Sequence, residues 1–445
     1  MTLSLAPALL SVVVLVFGAV VVLLFTARLA RDSAALTAVG AVTLIAAIVP
    51  VANNNPSLVM SVVAPLLVGL IAMLLLPSTE LQDDSQRPEV AALILLGTGG
   101  AVTLATADEL LSAAIGLETL SLAAAVLVAL GRGTRPVEAA FKYFMLGAIS
   151  FAALIYGIGL IFVATGSLSW PTLQTMDRTY SGLWVAGVAL VGLGLAYKLA
   201  VVPTHWGSLD AYTASAPGAA GFVMAASKIA AVFAIGKLAV GAAVPMAPIL
   251  VIVGIVSIVW GMFGALAQRE LRRMLAYSTV LNAGFMVLAL GCGELGRTAA
   301  IYYAVIYGLT VLLVFAALSG RGAEPVSFDQ ISSLGLTRGR VIALCVGLLS
   351  LAGVPPLPGF WAKLAVLQAA IATVGWVPAV IAAIGGVAGA LYYLRPLPDL
   401  LPSLARPSEP AERGAGPGLV LAGFLVALLV VAPGAAYALS KLSGG

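Results

Sequence analysis

The run GLWVAGVALVGLGLAYKLAVVPTHWGSLDAY, residues 182–212, decides what kind of molecule this is. From Gly182 to Tyr197 it carries no charge, close to the roughly 20 residues a helix needs to cross the hydrocarbon of a bilayer. Lys198 follows, and five residues later comes Pro203, with Thr204 and His205 behind it. A proline inside a helix removes a backbone hydrogen bond and frees carbonyls. At membrane depth such backbone is tolerated only where it is buried in protein or lines a cavity. An apolar span broken beside a lysine therefore reads as the wall of a pathway rather than as an anchor.

The rest of the chain has the same character. It has 445 residues, 62% hydrophobic and only 9% charged, against about 25% charged in a soluble domain. Apolar runs between charged or Pro/Gly-rich breaks lie at 3–27, 34–53, 57–77, 89–107, 109–130, 138–165, 182–212, 214–241, 245–267, 272–291, 297–319, 337–374, 376–394 and 417–440. That is an all-α, polytopic membrane bundle of about fourteen spans. The first run is too long for a signal-peptide core and has no basic segment ahead of it, so it reads as a span of the mature protein. The twelfth is interrupted like the seventh, at Gly353-Val354-Pro355-Pro356-Leu357-Pro358-Gly359. Asn53–Asn55 and 407–416 read as loops.

Charge gives the orientation. Odd-numbered loops carry fourteen arginines, namely Arg28, Arg31, Arg87, Arg132, Arg135, Arg269, Arg272, Arg273, Arg321, Arg338, Arg340, Arg395, Arg406 and Arg413; the opposite side has only Arg178, Arg297 and Lys441. Basic residues collect on cytoplasmic loops, which puts both termini outside, as an even number of spans requires. The sequence pI near 9.1 has the same origin and does not point to nucleic acid.

The five remaining basic residues, Lys142, Lys198, Lys228, Lys237 and Lys363, are all lysines within spans, and no arginine lies deep in one. Arginine holds its proton in a protein, whereas a buried lysine can release one. The pattern suits groups that load and unload protons. Glu118, about nine residues into the fifth span, joins them. An ionisable group at mid-membrane costs roughly 3 kcal/mol or more, so it usually has a task. Glu118 has no local partner at three or four residues either way; its structural alternative is an ion pair with a lysine of another helix, which is compatible with a proton site. Lys198 and Lys363 each lie five residues from a break, at Pro203 and Pro358. Two interrupted helices five spans apart fit the internal repeats of transporters. Lys228 sits mid-span with no acid nearby and no water-facing end within reach.

Plainer readings suffice elsewhere. Lys142 follows Glu138 by four residues, a local ion pair. Lys237 is near the end of its span and can snorkel. His205 is either a relay between Lys198 and Lys228 or a structural cap on freed carbonyls. Asp210 marks the membrane surface, as a charge partner at the end of the broken half-helix. Cys292 and Cys345 have no metal or disulfide spacing. One histidine, no cysteine cluster and no nucleotide-binding glycine loop leave redox chemistry to a partner.

Several motifs occur in order: GLETLSLAAAVLVAL (116–130), FKYFMLGAISFAALIYGIGLIF (141–162), YKLAVVPTHWGSLDAY (197–212), AASKIAAVFAI (225–235), LRRMLAYSTVLNAGF (271–285), SLAGVPPLPGFWAKLAVLQAAI (350–371) and YYLRP (392–396). Together, over roughly residues 90–400, they resemble the antiporter-like membrane subunits of respiratory complex I and lean towards the N-type subunits. The resemblance implies two inverted five-helix repeats with broken helices 7 and 12. It divides the chain into 1–80 (helices 1–3), 89–241 (helices 4–8), 245–395 (helices 9–13) and 416–445 (helix 14). It also implies half-channels around the two breaks, joined by a row of polar groups. On it, Glu118 matches the glutamate that interacts with the helix 7 lysine, here Lys198, while Lys228 is the central relay and Lys363 the terminal lysine. Asn282 stands where related subunits often have histidine, so a relay step there runs through water.

The implied function is that of a proton-translocating subunit of an NADH–quinone oxidoreductase in the cell (inner) membrane. No cofactor is expected on this chain; NADH, FMN, iron–sulfur clusters and quinone belong to partner membrane and peripheral subunits. The VPPLPG break and the GFWAKL after it also resemble Mrp-type cation/proton antiporter subunits, the alternative reading.

Overall fold

The computed structural model describes residues 7–25, 32–175, 181–241, 243–321, 326–405 and 416–431. Arg28, Arg31, Arg178, Arg406, Arg413 and Lys441, used above for orientation, and the loop at 407–415 lie outside the described residues. Among the described residues there are helices and turns but no strand.

In chain order the helices of nine or more residues are α1 (Pro7–Leu24), α2 (Ser33–Ala46), α3 (Pro56–Leu74), α4 (Arg87–Thr106), α5 (Leu110–Ala129), α6 (Thr134–Thr165), α7 (Gly182–Leu199), α8 (Trp206–Ala214), α9 (Pro217–Gly241), α10 (Ala243–Leu266), α11 (Leu271–Leu290), α12 (Gly293–Leu318), α13 (Arg338–Ala352), α14 (Pro358–Thr373), α15 (Trp376–Tyr393) and α16 (Gly416–Val431). Twelve of the described helices are long and apolar enough to cross a membrane. The twelfth span of the sequence reading is present instead as two half-helices of 15 and 16 residues, α13 and α14. The fourteenth is present as the 16 residues of α16. The seventh is likewise divided, into α7 and the nine-residue α8. Asn55, read as loop, caps α3 by accepting the Leu58 N–H at 2.8 Å.

Two helix starts move by a turn. α6 starts at Thr134 rather than 138, and α12 at Gly293 rather than 297. In both cases charged residues that read as loop are the first turns of the helix. Glu294 and Arg297 pair along α12 at 2.7 Å, which lets the helix begin in a polar setting.

The bundle is organised around α9, buried from Pro217 to Gly236, with α11 and α12 mostly buried. Apolar residues on α6, α10 and α15, such as Ile149, Phe263 and Val387, face outward, as hydrocarbon permits. Helices meet through small residues, because without water between them they gain by packing rather than by dehydration. A Cβ on Gly116 of α5 would sit 2.5 Å from the backbone nitrogen of Leu104 in α4. A Cβ on Gly284 of α11 would sit 2.7 Å from that of Ile258 in α10.

A second correspondence lies in the loops. The loop before α5 meets the loop after α6 in a two-bond antiparallel bridge, Leu110 N–H to Leu168 C=O and Trp170 N–H to Asp108 C=O, both 2.9 Å. The loop before α11 meets the loop after α12 in the same way, Leu271 N–H to Val326 C=O at 3.0 Å and Phe328 N–H to Arg269 C=O at 3.1 Å.

Candidate functional site

Each broken span ends its first half in the same way. At the end of α7, Ala200 adopts the left-handed conformation (φ 60°) and its N–H turns back to the carbonyls of Ala196 and Tyr197. At the end of α13, Gly353 does the same (φ 86°), its N–H returning to Leu349 and Ser350. Such a cap leaves the last carbonyls of the half-helix without helical donors. Those carbonyls, at the negative end of the helix dipole, are where two of the lysines go. Lys228 Nζ lies 3.4 Å from the Lys198 carbonyl. Lys363 Nζ donates to the carbonyls of Leu351 at 2.8 Å and Ala352 at 2.9 Å. Gly353 serves both needs, because a Cβ there would come within 3.1 Å of the Lys363 stem.

Lys198 and Lys228 are also tied to phenols. Lys198, 2% exposed, donates to Tyr143 Oη at 3.1 Å, and its Nζ lies 4.8 Å from the centre of that ring. Tyr143 is in turn fixed by its backbone, whose carbonyl accepts the Tyr197 hydroxyl at 2.5 Å. Lys228, 0% exposed, donates to Tyr212 Oη at 2.5 Å. A phenol that accepts from an ammonium keeps its own proton free to pass on.

Tyr212 is carried by α8, and α8 is clamped by the charges at the start of α11. Buried Arg272 donates to the backbone carbonyls of Tyr212, at 3.2 Å, and Ser215. Arg273 pairs with Asp210 at 2.6 Å, and Lys142 approaches the same carboxylate at 3.6 Å while pairing with Glu138 at 2.6 Å. Asp210 is therefore the charge on α8 that pairs with Arg273 of α11 and Lys142 of α6. The sequence rule that no arginine enters a span deeply needs one refinement: Arg272 and Arg340 are buried at helix starts, where each caps the carbonyls of another element.

Between Lys228 and Lys363 lies a row of neutral polar side chains. Tyr307, within electrostatic reach of Tyr212, shares a hydrogen bond with Thr279 at 2.8 Å. Asn282 accepts from the Tyr303 hydroxyl at 2.8 Å and donates to Tyr393 Oη at 3.1 Å. A cavity of about 10 Å³ for the centre of a water-sized sphere touches Asn282, Tyr303, Tyr307, Thr310 and Lys363; that is room for about one water molecule.

Not every anticipated contact forms. Glu118 is half-buried; it is close enough to Lys198 to act on it electrostatically, yet its Oε2 has no hydrogen-bond partner. No ion pair closes between them; the Lys198 side-chain hydrogen bond goes to Tyr143. His205 is buried against Trp206 and Trp260, with ring centroids at 5.2 and 5.9 Å. Its ring is within reach of the Pro203 carbonyl, and among the described hydrogen bonds none links it to Lys198 or Lys228. Lys237 does more than snorkel: it donates to the Ala107 carbonyl at the end of α4 at 2.6 Å and lies 3.9 Å from Asp108.

Sequence reasoning missed Tyr143, Tyr212, Tyr307 and Arg272. The first two stand inside quoted motifs, FKYF and the run ending SLDAY. A search for charge passes over them, because a tyrosine is unremarkable in an apolar span until a lysine is known to face it.

Residues 107–389 match the family model described as NADH:quinone oxidoreductase/Mrp antiporter, TM. The chain belongs to this antiporter-like membrane-subunit family. Within the family its similarity runs to subunit N of NADH-quinone oxidoreductase. The subunit N of Methylobacterium nodulans is 37% identical over 342 residues, covering 74% of this chain and 71% of that one. That of Beijerinckia indica is 34% identical over 385 residues, covering 83% and 80%. Among solved structures, respiratory complex I from Thermus thermophilus contains a chain that superposes with a TM-score of 0.80 at 28% identity, covering 98% of this chain and all of its own length (100%). A chain of the Mrp complex from Dietzia superposes at 0.84 with 21% identity, covering 100% and 97%, and that likeness concerns the fold alone.

Proposed function

We infer that this chain is a proton-translocating membrane subunit of a complex I-type NADH:quinone oxidoreductase. The observation that carries the mechanism is the pairing of each half-helix end with a buried lysine, Lys228 at Lys198 O and Lys363 at Leu351 O and Ala352 O. On this reading Lys198 receives a proton, Lys228 relays it and Lys363 delivers it. Tyr143 and Tyr212 act as partners that accept from an ammonium and can donate onward. Glu118 acts from a distance: drawing its carboxylate away from Lys198 destabilises the ammonium form and drives the proton on, and its return reloads the lysine. NADH, FMN, iron–sulfur clusters and quinone belong to partner subunits, whose redox steps move Glu118 relative to Lys198. His205 shapes the break against Trp206 and Trp260 rather than relaying.

The division into 1–80, 89–241, 245–395 and 416–445, with two inverted five-helix repeats, is part of the same reading. It is supported by the matching loop bridges, the matching glycine contacts and the matching caps at Ala200 and Gly353. The excess of arginine on odd-numbered loops supports termini on the outer side of the cell membrane.

Sequence identity favours the oxidoreductase over an Mrp antiporter, since the two folds superpose about equally well. The test is Lys228→Ala in the assembled complex. Quinone reduction is retained and fewer protons are moved per electron. A full proton-to-electron ratio in that variant removes Lys228 from the mechanism, and sodium-dependent transport without NADH or quinone replaces the reading with the antiporter.

A further inference from the structure

Beyond the break at Ala200, the backbone N–H of Val202 has left the helix and needs an acceptor. It finds Ser257 Oγ at 3.0 Å. Ser257 is fully buried on α10, 55 positions away in the chain, in the half that follows the broken span. The other break is satisfied differently: the Gly359 N–H donates to Ser350 Oγ at 3.2 Å, and Ser350 belongs to α13 of that same broken span. One break is closed within itself and the other is held by a foreign helix. Trp260, one turn along from Ser257, adds an edge-on contact to His205 at 5.9 Å. The remaining wall between α7 and α10 is an apolar cleft of about 200 Å³ beside Val201, Val202 and Pro203, which offers the backbone no hydrogen bond.

The Val202 N–H stands just past the end of α7, four residues from the Lys198 carbonyl to which it would have donated had the helix continued. The carbonyl meets Lys228 at 3.4 Å, the long end of hydrogen bonding, where a small shift makes or breaks the contact. We propose that Ser257 is a positioning residue for proton transfer between Lys198 and Lys228, holding the break of the seventh span so that the Lys198 carbonyl meets the Lys228 ammonium. This rests on the reading of those two lysines as consecutive stations on the proton path. It makes α10 a tie between the halves of the chain: movement of that helix reaches the Lys198–Lys228 contact through one hydroxyl.

Three variants in the assembled complex, reconstituted in liposomes, test it: Ser257→Ala, Ser257→Thr and, as reference, Lys228→Ala. Two quantities are read, deuterium uptake of the peptide containing the Val202 amide and protons moved per electron. Ser257→Ala is expected to exchange that amide roughly five- to tenfold faster. It also loses the share of the proton-to-electron ratio that Lys228→Ala loses, at unchanged quinone reduction. Ser257→Thr keeps the acceptor and retains both properties. Unchanged exchange in Ser257→Ala, a full ratio there, or equal damage in Ser257→Thr overturns the proposal while Lys228→Ala still reports a relay. A full ratio in Lys228→Ala removes the relay itself, and Ser257's role with it. If Ser257→Ala does not assemble, Ser257→Cys, similar in size with a weak acceptor, carries the same expectations.

Discussion

The ammonium of Lys228, in the most buried helix of the bundle, lies 3.4 Å from the backbone carbonyl of Lys198, itself the last basic group of a half-helix. A single contact thus joins two candidate proton sites through backbone rather than side chain. A neutral amine keeps N–H donors but loses the charge assistance, so release of the Lys228 proton weakens this contact. The other hydrogen bond of Lys228, to Tyr212 Oη at 2.5 Å, is the obvious place to test this.

Tyr212→Phe keeps the ring, and with it the packing, while removing that acceptor. A hydrogen bond to a charged group is worth roughly 1.5–3 kcal/mol, so proton movement should slow about tenfold or more in reconstituted complex, with assembly retained. Dye-quenching rates equal to wild type would show that the phenol is not on the path.

At Lys363 two functions can be separated by charge chemistry. Lys363→Arg can still cap the carbonyls of Leu351 and Ala352 but cannot release a proton. It should assemble and not pump. Lys363→Ala leaves two buried carbonyls without donors, about 1–3 kcal/mol each, and should lower the amount of complex in the membrane as well. Pumping by the arginine variant would mean that Lys363 is structural.

Ala200 is the one non-glycine residue with positive φ among the described residues, at 60°. An alanine there is strained by about 1–2 kcal/mol, partly offset by the entropy a glycine would lose on folding. Ala200→Gly should therefore be neutral or up to about 1 kcal/mol more stable. Ala200→Val, β-branched at positive φ, should cost about 1–3 kcal/mol. Thermal unfolding of the purified complex distinguishes them, and a destabilised glycine variant would contradict the assignment of strain.

Gly116 precedes Glu118 by two residues and sits against the backbone of α4, where an added Cβ would come 2.5 Å from the Leu104 nitrogen. Gly116→Ala should force α4 and α5 apart at about 1–3 kcal/mol and carry Glu118 with them, reducing both assembly and pumping. Gly159→Ala, where a Cβ meets nothing within 4 Å, is the control. Equal behaviour of the two variants in membrane yield and pumping rate would argue against close packing at Gly116.

The sequence by itself determined the class of the molecule, its spans and its candidate charges. Apolar runs of bilayer length have one stable form, the helix, because lipid offers the backbone no other partner. The cost of burying charge made Glu118, Lys198, Lys228 and Lys363 conspicuous without any structure. The two breaks were legible from a proline beside a lysine or within a Gly/Pro-rich run, whereas the lone Pro65 and Pro248 sit inside continuous helices. What only the tertiary structure decided is which groups face one another. The capping of the Lys198 carbonyl by Lys228, the hydrogen bond of Lys198 to Tyr143 and the grip of Ser257 on Val202 each join different spans, while Lys363 folds one half of the twelfth span back onto the other. Helices that are apolar nearly all round give no periodicity from which to read their facing. Tyrosine and serine are cheap enough to bury that their presence alone says nothing. Their meaning comes from the partner, and packing supplies the partner.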